Sequence, residues 1–267
     1  METPVALSIA GSDSSGGAGI QADIKTFTYF KVYAQTVVTC VVAEVPGKVL
    51  SIQPVESRVV RDQLTLGLAH FPVAAIKTGM LYSGEIIDLI CDLYESLPED
   101  RRPYLVIDPV MIATSGDALA EPGALERYKA RMFLLADLVT PNLDETSAIL
   151  KTPVNSLSGM REAAVELYRR YDAPFLLKGG HLKSSQAVDI LIDSGGLHEF
   201  SEPYRSGVST HGTGCTYSAA IAANLALGQP LPEAVRVSKR YVTRAITDSF
   251  YWRTKTGEAS SLRHFWP

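Results

Sequence analysis

A chain of 267 residues with 46% hydrophobic and 20% charged residues suits one large α/β domain and is too apolar for a disordered chain. Its formal net charge of −4 argues against general nucleic-acid binding, although local positive charge can still hold phosphates. Residues 1–4 carry no basic region, 5–10 are too few for a signal core, and no apolar run approaches a membrane span; three widely spaced cysteines, Cys40, Cys91 and Cys215, fit thiols of a reducing cytoplasm.

The apolar run 5–10 predicts a buried strand, followed by a glycine-rich stretch, 11–19, and a helix starting at 20. The glycine spacing matches neither the dinucleotide fingerprint nor a P-loop. What remains is a polar loop at the carboxyl end of a strand, where ligands of open α/β sheets bind. The β-branched residues 36–42 predict a second strand, after which Glu44 is either a solvated strand end or a ligand group. A third strand around 49–53 and an amphipathic helix over 57–70 follow, then a strand at 73–77 opening onto Gly79 and Met80, and a helix over 84–95. Strands at 104–107 and 137–139 each deliver acids to their carboxyl edge: Asp108 from the first, Asp144 and Glu145 with Asn142 from the second. A helix over 159–171 leads into a strand ending at Lys178, ahead of Gly179, Gly180 and His181. Residues 188–192 and 197–200 predict a terminal hairpin, and 233–249 a closing helix. Helices alternating with strands imply a mostly parallel sheet covered on both faces.

The stretch 208–216 is polar and glycine-spaced and feeds an alanine-rich helix that stops at Gly228 and Pro230. A glycine turn entering a helix gathers unpaired N–H groups at the positive end of the helix dipole, which makes an anion site. Cys215 sits where that helix begins, and the same field favours its thiolate. The alternative is a buried cysteine packing as a small hydrophobe. Each polar strand end also has an ordinary explanation, an Asp capping a turn or a Lys in solvent. Parallel strands, however, put all of them on one edge of the sheet. Two acids near an anion hole suit Mg²⁺ held through carboxylates, water and phosphates, and a Lys beside it suits charge neutralisation during phosphoryl transfer.

Six motifs occur together and in order: residues 11–23, 108–111, 115–117, 140–143, 177–181 and 210–215. On these the chain resembles, over nearly its whole length, the hydroxymethylpyrimidine/phosphomethylpyrimidine kinases of thiamin biosynthesis, in the ribokinase-like superfamily. The resemblance implies one ribokinase-like domain over 1–267, a three-layer α/β/α fold with a mostly parallel sheet and a small β-flap. It further implies a cytoplasmic homodimer that phosphorylates 4-amino-5-hydroxymethyl-2-methylpyrimidine with ATP, and then the monophosphate. Mg²⁺ is the implied cofactor, with a monovalent cation as an additional candidate. By the same resemblance Gly212, Thr213 and Gly214 form the anion hole, and Cys215 stands where most ribokinase-like enzymes use an Asp base. Asp108, Asn142, Glu145 and Thr210 belong to the Mg·ATP region, Asp108 and Glu145 as metal ligands and Lys178 as the phosphate lysine. Gly11, Asp23, Glu44, Met80 and Val110 form the pyrimidine pocket, although Met80 reads equally well as core packing.

Two positions depart from the family pattern. Val45 and Pro46 follow Glu44 where Asn-Thr is usual, and Thr114 stands where a Lys is common. The second departure removes a positive charge that would greet an already phosphorylated substrate. The rival readings are a pyridoxal or pyridoxine kinase, and a non-catalytic pyrimidine-binding regulatory protein.

Overall fold

Successive residues of a strand turn to opposite faces, and here both sets are apolar from the start: Leu7 and Ile9 enter one buried cluster, Ala6 the other. A sheet of such strands must be covered twice. The computed structural model, which describes residues 3–111, 119–180, 182, 185–205, 210–254 and 257–266, has that arrangement. The first half runs β1 (Val5–Asp13), α1 (Gly19–Tyr29), β2 (Tyr33–Val45), β3 (Lys48–Pro54), α2 (Ser57–His70), β4 (Val73–Thr78), α3 (Gly84–Glu95) and β5 (Tyr104–Ile107). Then come α4 (Ala124–Ala130), β6 (Leu138–Val139), α5 (Leu143–Leu150), α6 (Leu157–Tyr171), β7 (Phe175–Lys178), β8 (Gln186–Asp193) and β9 (Gly196–Pro203). The chain continues with α7 (Thr213–Ala226), α8 (Leu231–Thr247), β10 (Phe250–Thr254) and β11 (Gly257–Ser261).

Among the described residues nine strands make one sheet in the order β3-β2-β1-β4-β5-β6-β7-β8-β9. The run from β2 to β7 is parallel, while β3 pairs antiparallel with β2 at one edge and β8 and β9 add antiparallel strands at the other. Helices α2 to α6 cover one face through residues such as Leu64, Ile87, Tyr128, Ile149 and Leu167. Helices α1, α7 and α8 cover the other through Phe27, Ile221 and Val235. Helix α7 is buried nearly all round, and its alanines 219, 220, 222 and 223 let it lie between the sheet and α8. The fold is therefore the α/β ribokinase-like architecture the sequence implies. Chain order reverses between β1 and its neighbours β2 and β4, and such a switch point opens a crevice at the carboxyl ends of the strands.

Helices α2 and α3 have the predicted limits. Five features differ from the sequence reading. Strand β1 continues past residue 10 to Asp13, because Gly11 sits at a register shift and Ser12 and Asp13 pair with Val41 and Val42. Residues 143–145 are the first turn of helix α5, where Asn142 and Glu145 make a reciprocal capping box. The hairpin β8–β9 is an edge of the main sheet and not terminal, since two helices follow it. Helix α4 and the small hairpin β10–β11 were not foreseen. Tyr251 and Trp252 on β10 are both exposed, so no inside–outside alternation marks that strand.

Candidate active site

The carboxyl ends of β1, β2, β4, β5, β6 and β7 meet the N-terminus of α7 around a cavity of about 610 Å³. Gly11, Glu44, Met80, Asp108, Val110, Asn142, Glu145, Lys178, Thr210, Gly212, Thr213, Gly214 and Cys215 all line it, so every predicted site residue except Asp23 is brought together. Asp23, expected in the pyrimidine pocket, is fully buried on α1 and bound to Lys77, because that helix turns its face toward the sheet. Thr114, Ser115, Gly116, Asp117 and His181 lie outside the described residues.

At one end of the cavity the glycine loop enters α7. Gly212 caps the helix at φ 77°, and a Cβ there would come within 1.8 Å of Gly17 O. Only glycine fits so tight and left-handed a contact. Thr213 closes the turn by donating from its hydroxyl to Thr210 O at 2.6 Å. The first N–H groups of α7, Gly214 and Cys215 among them, have no acceptor within the helix, and such an end suits an anion. Beside them Lys178 Nζ donates to Asp108 Oδ1 at 2.7 Å. A Cβ on Gly214 would come 3.3 Å from Lys178 Nζ and 3.6 Å from Asp108 Oδ2, so the bare glycine lets this pair lie against the loop.

Asp108 also accepts from Thr140 Oγ1 at 3.3 Å and from Ser218 Oγ at 3.2 Å. Burial disfavours the Lys178 cation, but Asp108 and Glu145 outweigh it and raise its pKa. Burial pushes Glu145 up to about 7, with Asp108 adding to the shift and Lys178 opposing it. Glu145 Oε2 accepts from the Asn142 N–H at 2.8 Å. The donor set here is oxygen from carboxylates at the cavity wall, which fits a hard divalent cation held partly by water and phosphate.

At the other end Gly11 lies against Cys40 and Met80. A Cβ on Gly11 would come 2.6 Å from Cys40 Sγ and 3.4 Å from Met80 Sδ. Glu44 reaches this end from the close of β2. Burial raises its pKa to about 7, the Asp13 charge adds to the shift and His211 opposes it.

Sequence reasoning missed the clasp between the two glycine loops. Asp13 accepts from the N–H groups of Ser15, Gly17 and Ala18 at 2.7–2.9 Å and from His211 Nε2 at 2.9 Å. Burial alone would raise Asp13, yet His211 and Ser15 bring it down to about 2. Burial works against a charged His211, and Asp13 outweighs it to raise its pKa. Glu44 brings a third ligand atom within 4.8 Å of theirs, and it is the Asp13–His211 bond that ties the two loops together. The signal was present in two motifs read separately, Asp13 in the first and His211 in the last. Lys239 and Asp189, paired at 2.6 Å on the cavity wall, gave no sequence signal at all.

The helix field favours the Cys215 thiolate; burial works the other way and pushes the thiol up to about 11, with Lys77 opposing the shift. Cys215 borders the cavity and is half-buried.

An anion loop at a helix end, a lysine–aspartate pair against it and a partly apolar cavity beyond are the parts of a small-molecule phosphotransferase of the ribokinase-like fold. The family model described as phosphomethylpyrimidine kinase matches residues 13–260, and the chain belongs to that family. It is 37% identical to the hydroxymethylpyrimidine/phosphomethylpyrimidine kinase of Aquifex aeolicus, over 92% of this chain and 95% of that one. It is 45% identical to the thiamine biosynthesis bifunctional protein ThiED of Geobacter sulfurreducens over 90% of its length, and spans about half (48%) of that relative. Among solved structures it resembles the ADP complex of Bacillus subtilis pyridoxal kinase, with TM-score 0.87, 34% identity and 98% of both chains covered. The phosphomethylpyrimidine kinase of Clostridium difficile superposes with TM-score 0.79 at 36% identity, over 92% of this chain and all of that one.

Proposed function

We propose that this chain transfers the γ-phosphoryl group of ATP to the hydroxymethyl group of 4-amino-5-hydroxymethyl-2-methylpyrimidine, and then, more slowly, to the monophosphate. The observation that carries the reading is the Lys178–Asp108 pair lying against Gly214 beside Cys215, in one cavity that extends to Glu44 and Met80. In the reaction the hydroxymethyl oxygen bonds to the γ-phosphorus as the bridging bond to the β-phosphate breaks, and its proton passes to Cys215 Sγ. Phosphoryl transfer asks more of charge stabilisation than of the base, so a small thiolate fraction suffices. The N–H groups of Gly214 and Cys215 and the Lys178 cation receive the charge that develops on the phosphate oxygens. Glu44 accepts from the exocyclic amine, and Met80 and Val110 pack on the ring.

Mg²⁺ bound with ATP supplies neutralisation of the phosphate charge, and Asp108 and Glu145 are the residues that would hold it. Asn142 and Thr210 contribute to the ATP side of the cavity. The homodimer, the cytoplasmic location and the single domain over 1–267 belong to the same proposal. Among the described residues no helix is long and apolar enough to cross a membrane, and sedimentation of the purified chain tests the dimer.

The deciding experiment measures ATP-dependent turnover on hydroxymethylpyrimidine, its monophosphate, pyridoxal and pyridoxine side by side. Turnover on the pyrimidines is expected to exceed that on the B6 vitamers. The second reading, a pyridoxal kinase, draws on the TM-score of 0.87 to such an enzyme and wins if that order is reversed. Absence of ATP turnover on the whole panel would leave a binding protein.

A further inference from the structure

The first glycine loop lies between the two ends of the cavity and is bonded toward both. Ala18, Glu44 and His211 all line that cavity. On one side Ser14 Oγ donates to Glu44 O and accepts from the Glu44 N–H, each at 2.9 Å. The Ser14 N–H donates to Val42 O at 3.3 Å. These bonds continue the β1–β2 pairing one residue past Asp13 and hold the backbone that presents Glu44. On the other side His211 Nε2 meets Asp13 Oδ2 at 2.9 Å, next to the glycine that caps α7. The same carboxylate oxygen accepts from the Gly17 and Ala18 N–H groups. An ionised carboxylate offers acceptors only, so His211 Nε2 carries the proton and donates.

Little slack remains in this chain of contacts. The Asp13 side chain is 1% exposed and that of His211 12%. A Cβ on Gly17 would come 2.8 Å from His211 Cδ2, and one on Gly212 would come 1.8 Å from Gly17 O, so the two loops touch through bare backbone. The Asp13 N–H donates to Gln21 Oε1 at 2.9 Å, which fastens the loop to α1 as well. Bonds therefore run without a gap from Glu44 through Ser14 and Asp13 to His211 and the turn at Gly212. Phosphoryl transfer depends mainly on placing the acceptor oxygen close to the phosphorus and in line with the leaving oxygen. We propose that residues 13–18 are a spacer of fixed length between the pyrimidine end and the anion loop, with Ser14 and His211 as positioning residues that set how closely the hydroxymethyl oxygen approaches the transferred phosphoryl group. His211 acts here through the loop and not on the reacting atoms. The purpose of the spacer rests on the proposed transfer; its rigidity does not.

Two measurements on the full chain test it. Hydrogen exchange read by mass spectrometry reports the spacer without turnover. In His211→Ala, peptides covering 11–19 are expected to exchange about threefold faster or more, and His211→Gln, whose amide can donate to Asp13, is expected to restore the wild-type rate. Unchanged exchange in His211→Ala overturns the spacer whatever the substrate. Turnover is then read on the best substrate among the pyrimidines and B6 vitamers. His211→Ala and Ser14→Ala are each expected to lower kcat by about 10- to 100-fold, the scale of a misplacement of about 1 Å, while both KM values stay within about threefold. His211→Gln should recover most of the rate. A purely structural role would lower the melting temperature and leave kcat per folded molecule near the wild type. Direct contact with substrate would raise KM instead. Either result overturns the positioning role. If His211→Ala does not fold, Ser14→Ala decides, and an unchanged kcat overturns it. A wild type inactive on every substrate overturns the proposed function, and the exchange result, which needs no turnover, tells that failure from a failure of the spacer.

Discussion

Two lysine–aspartate pairs extend from strands of the parallel sheet, and they are nearly equal in length: 2.8 Å for Lys77–Asp23 and 2.7 Å for Lys178–Asp108. Their surroundings differ. Both side chains of the first pair have no exposure, while Lys178 keeps 14% of its side-chain surface open at the cavity. The sealed pair is closed off together with Ser8, which donates to Asp23, and has no opening through which to exchange partners. On the proposed function the open pair exchanges one partner, Lys178 turning from Asp108 to a phosphate oxygen as ATP enters. Similar contacts would then serve opposite purposes, and the difference lies in access to the cavity rather than in the bond.

Cys215 is the proposed proton acceptor, and its substitution is expected to have the largest effect. Cys215→Ala should lower kcat by about 10²–10⁴, the range of general acid–base catalysis, with a circular-dichroism spectrum like the wild type. Wild-type turnover would make the residue packing only. The sealed pair should show itself in stability. Asp23→Ala leaves a buried cation unpaired and should lower the unfolding free energy by about 3–5 kcal/mol, read from urea denaturation. A loss below about 1 kcal/mol would mean that water reaches Lys77 and that the contrast between the pairs fails.

The open pair should show itself in rate. Lys178→Ala is expected to lower kcat by about 10²–10³, with pyrimidine affinity nearly unchanged, as for other groups that meet transition-state charge. Near-normal turnover at saturating substrate would remove that role.

At the far end of the cavity Glu44→Ala should weaken pyrimidine binding by about tenfold to a hundredfold, as loss of a charged hydrogen-bond acceptor does, and leave ATP binding intact; Glu44→Gln should be milder. Calorimetric titration distinguishes these outcomes. The sign of the pH effect follows from the raised pKa of Glu44, about 7 against an ordinary 4.5. Between those values the folded chain keeps a proton that the unfolded chain has released, so Glu44 lowers stability progressively as pH rises through the window. Glu44→Gln should flatten that part of the profile. The smallest expected effect is at Thr114, where Thr114→Lys should speed the second phosphorylation by the equivalent of about 0–1 kcal/mol. Chromatography of the products over time follows it, with the monophosphate accumulating first in the wild type.

Most of the site could be read from the chain because parallel strands impose a rule on it. Whatever follows a buried strand lies on one edge, so Gly11, Glu44, Met80, Asp108, Asn142 and Lys178 converge without any knowledge of distances. The anion loop was legible for a similar reason, since a glycine turn entering a helix has unpaired N–H groups wherever it occurs. Helix limits at 57–70 and 84–95 came from apolar periodicity, which local sequence carries in full.

What tertiary structure alone decided is how each ionisable group is partnered. Asp23 follows the first glycine stretch as a ligand residue would, yet the turn of α1 against β1 and β4 delivers it to Ser8 and Lys77 and away from the cavity. Asp13 and His211 are 198 positions apart and meet only because α7 docks beside β1. Cys215 stands at a helix start that favours its thiolate, and burial among packed elements pushes the other way. Backbone dipoles and strand ends are properties of a short segment, so the sequence by itself determined them. Desolvation and charge pairing depend on which atoms exclude water from which, and that was settled only when distant segments packed.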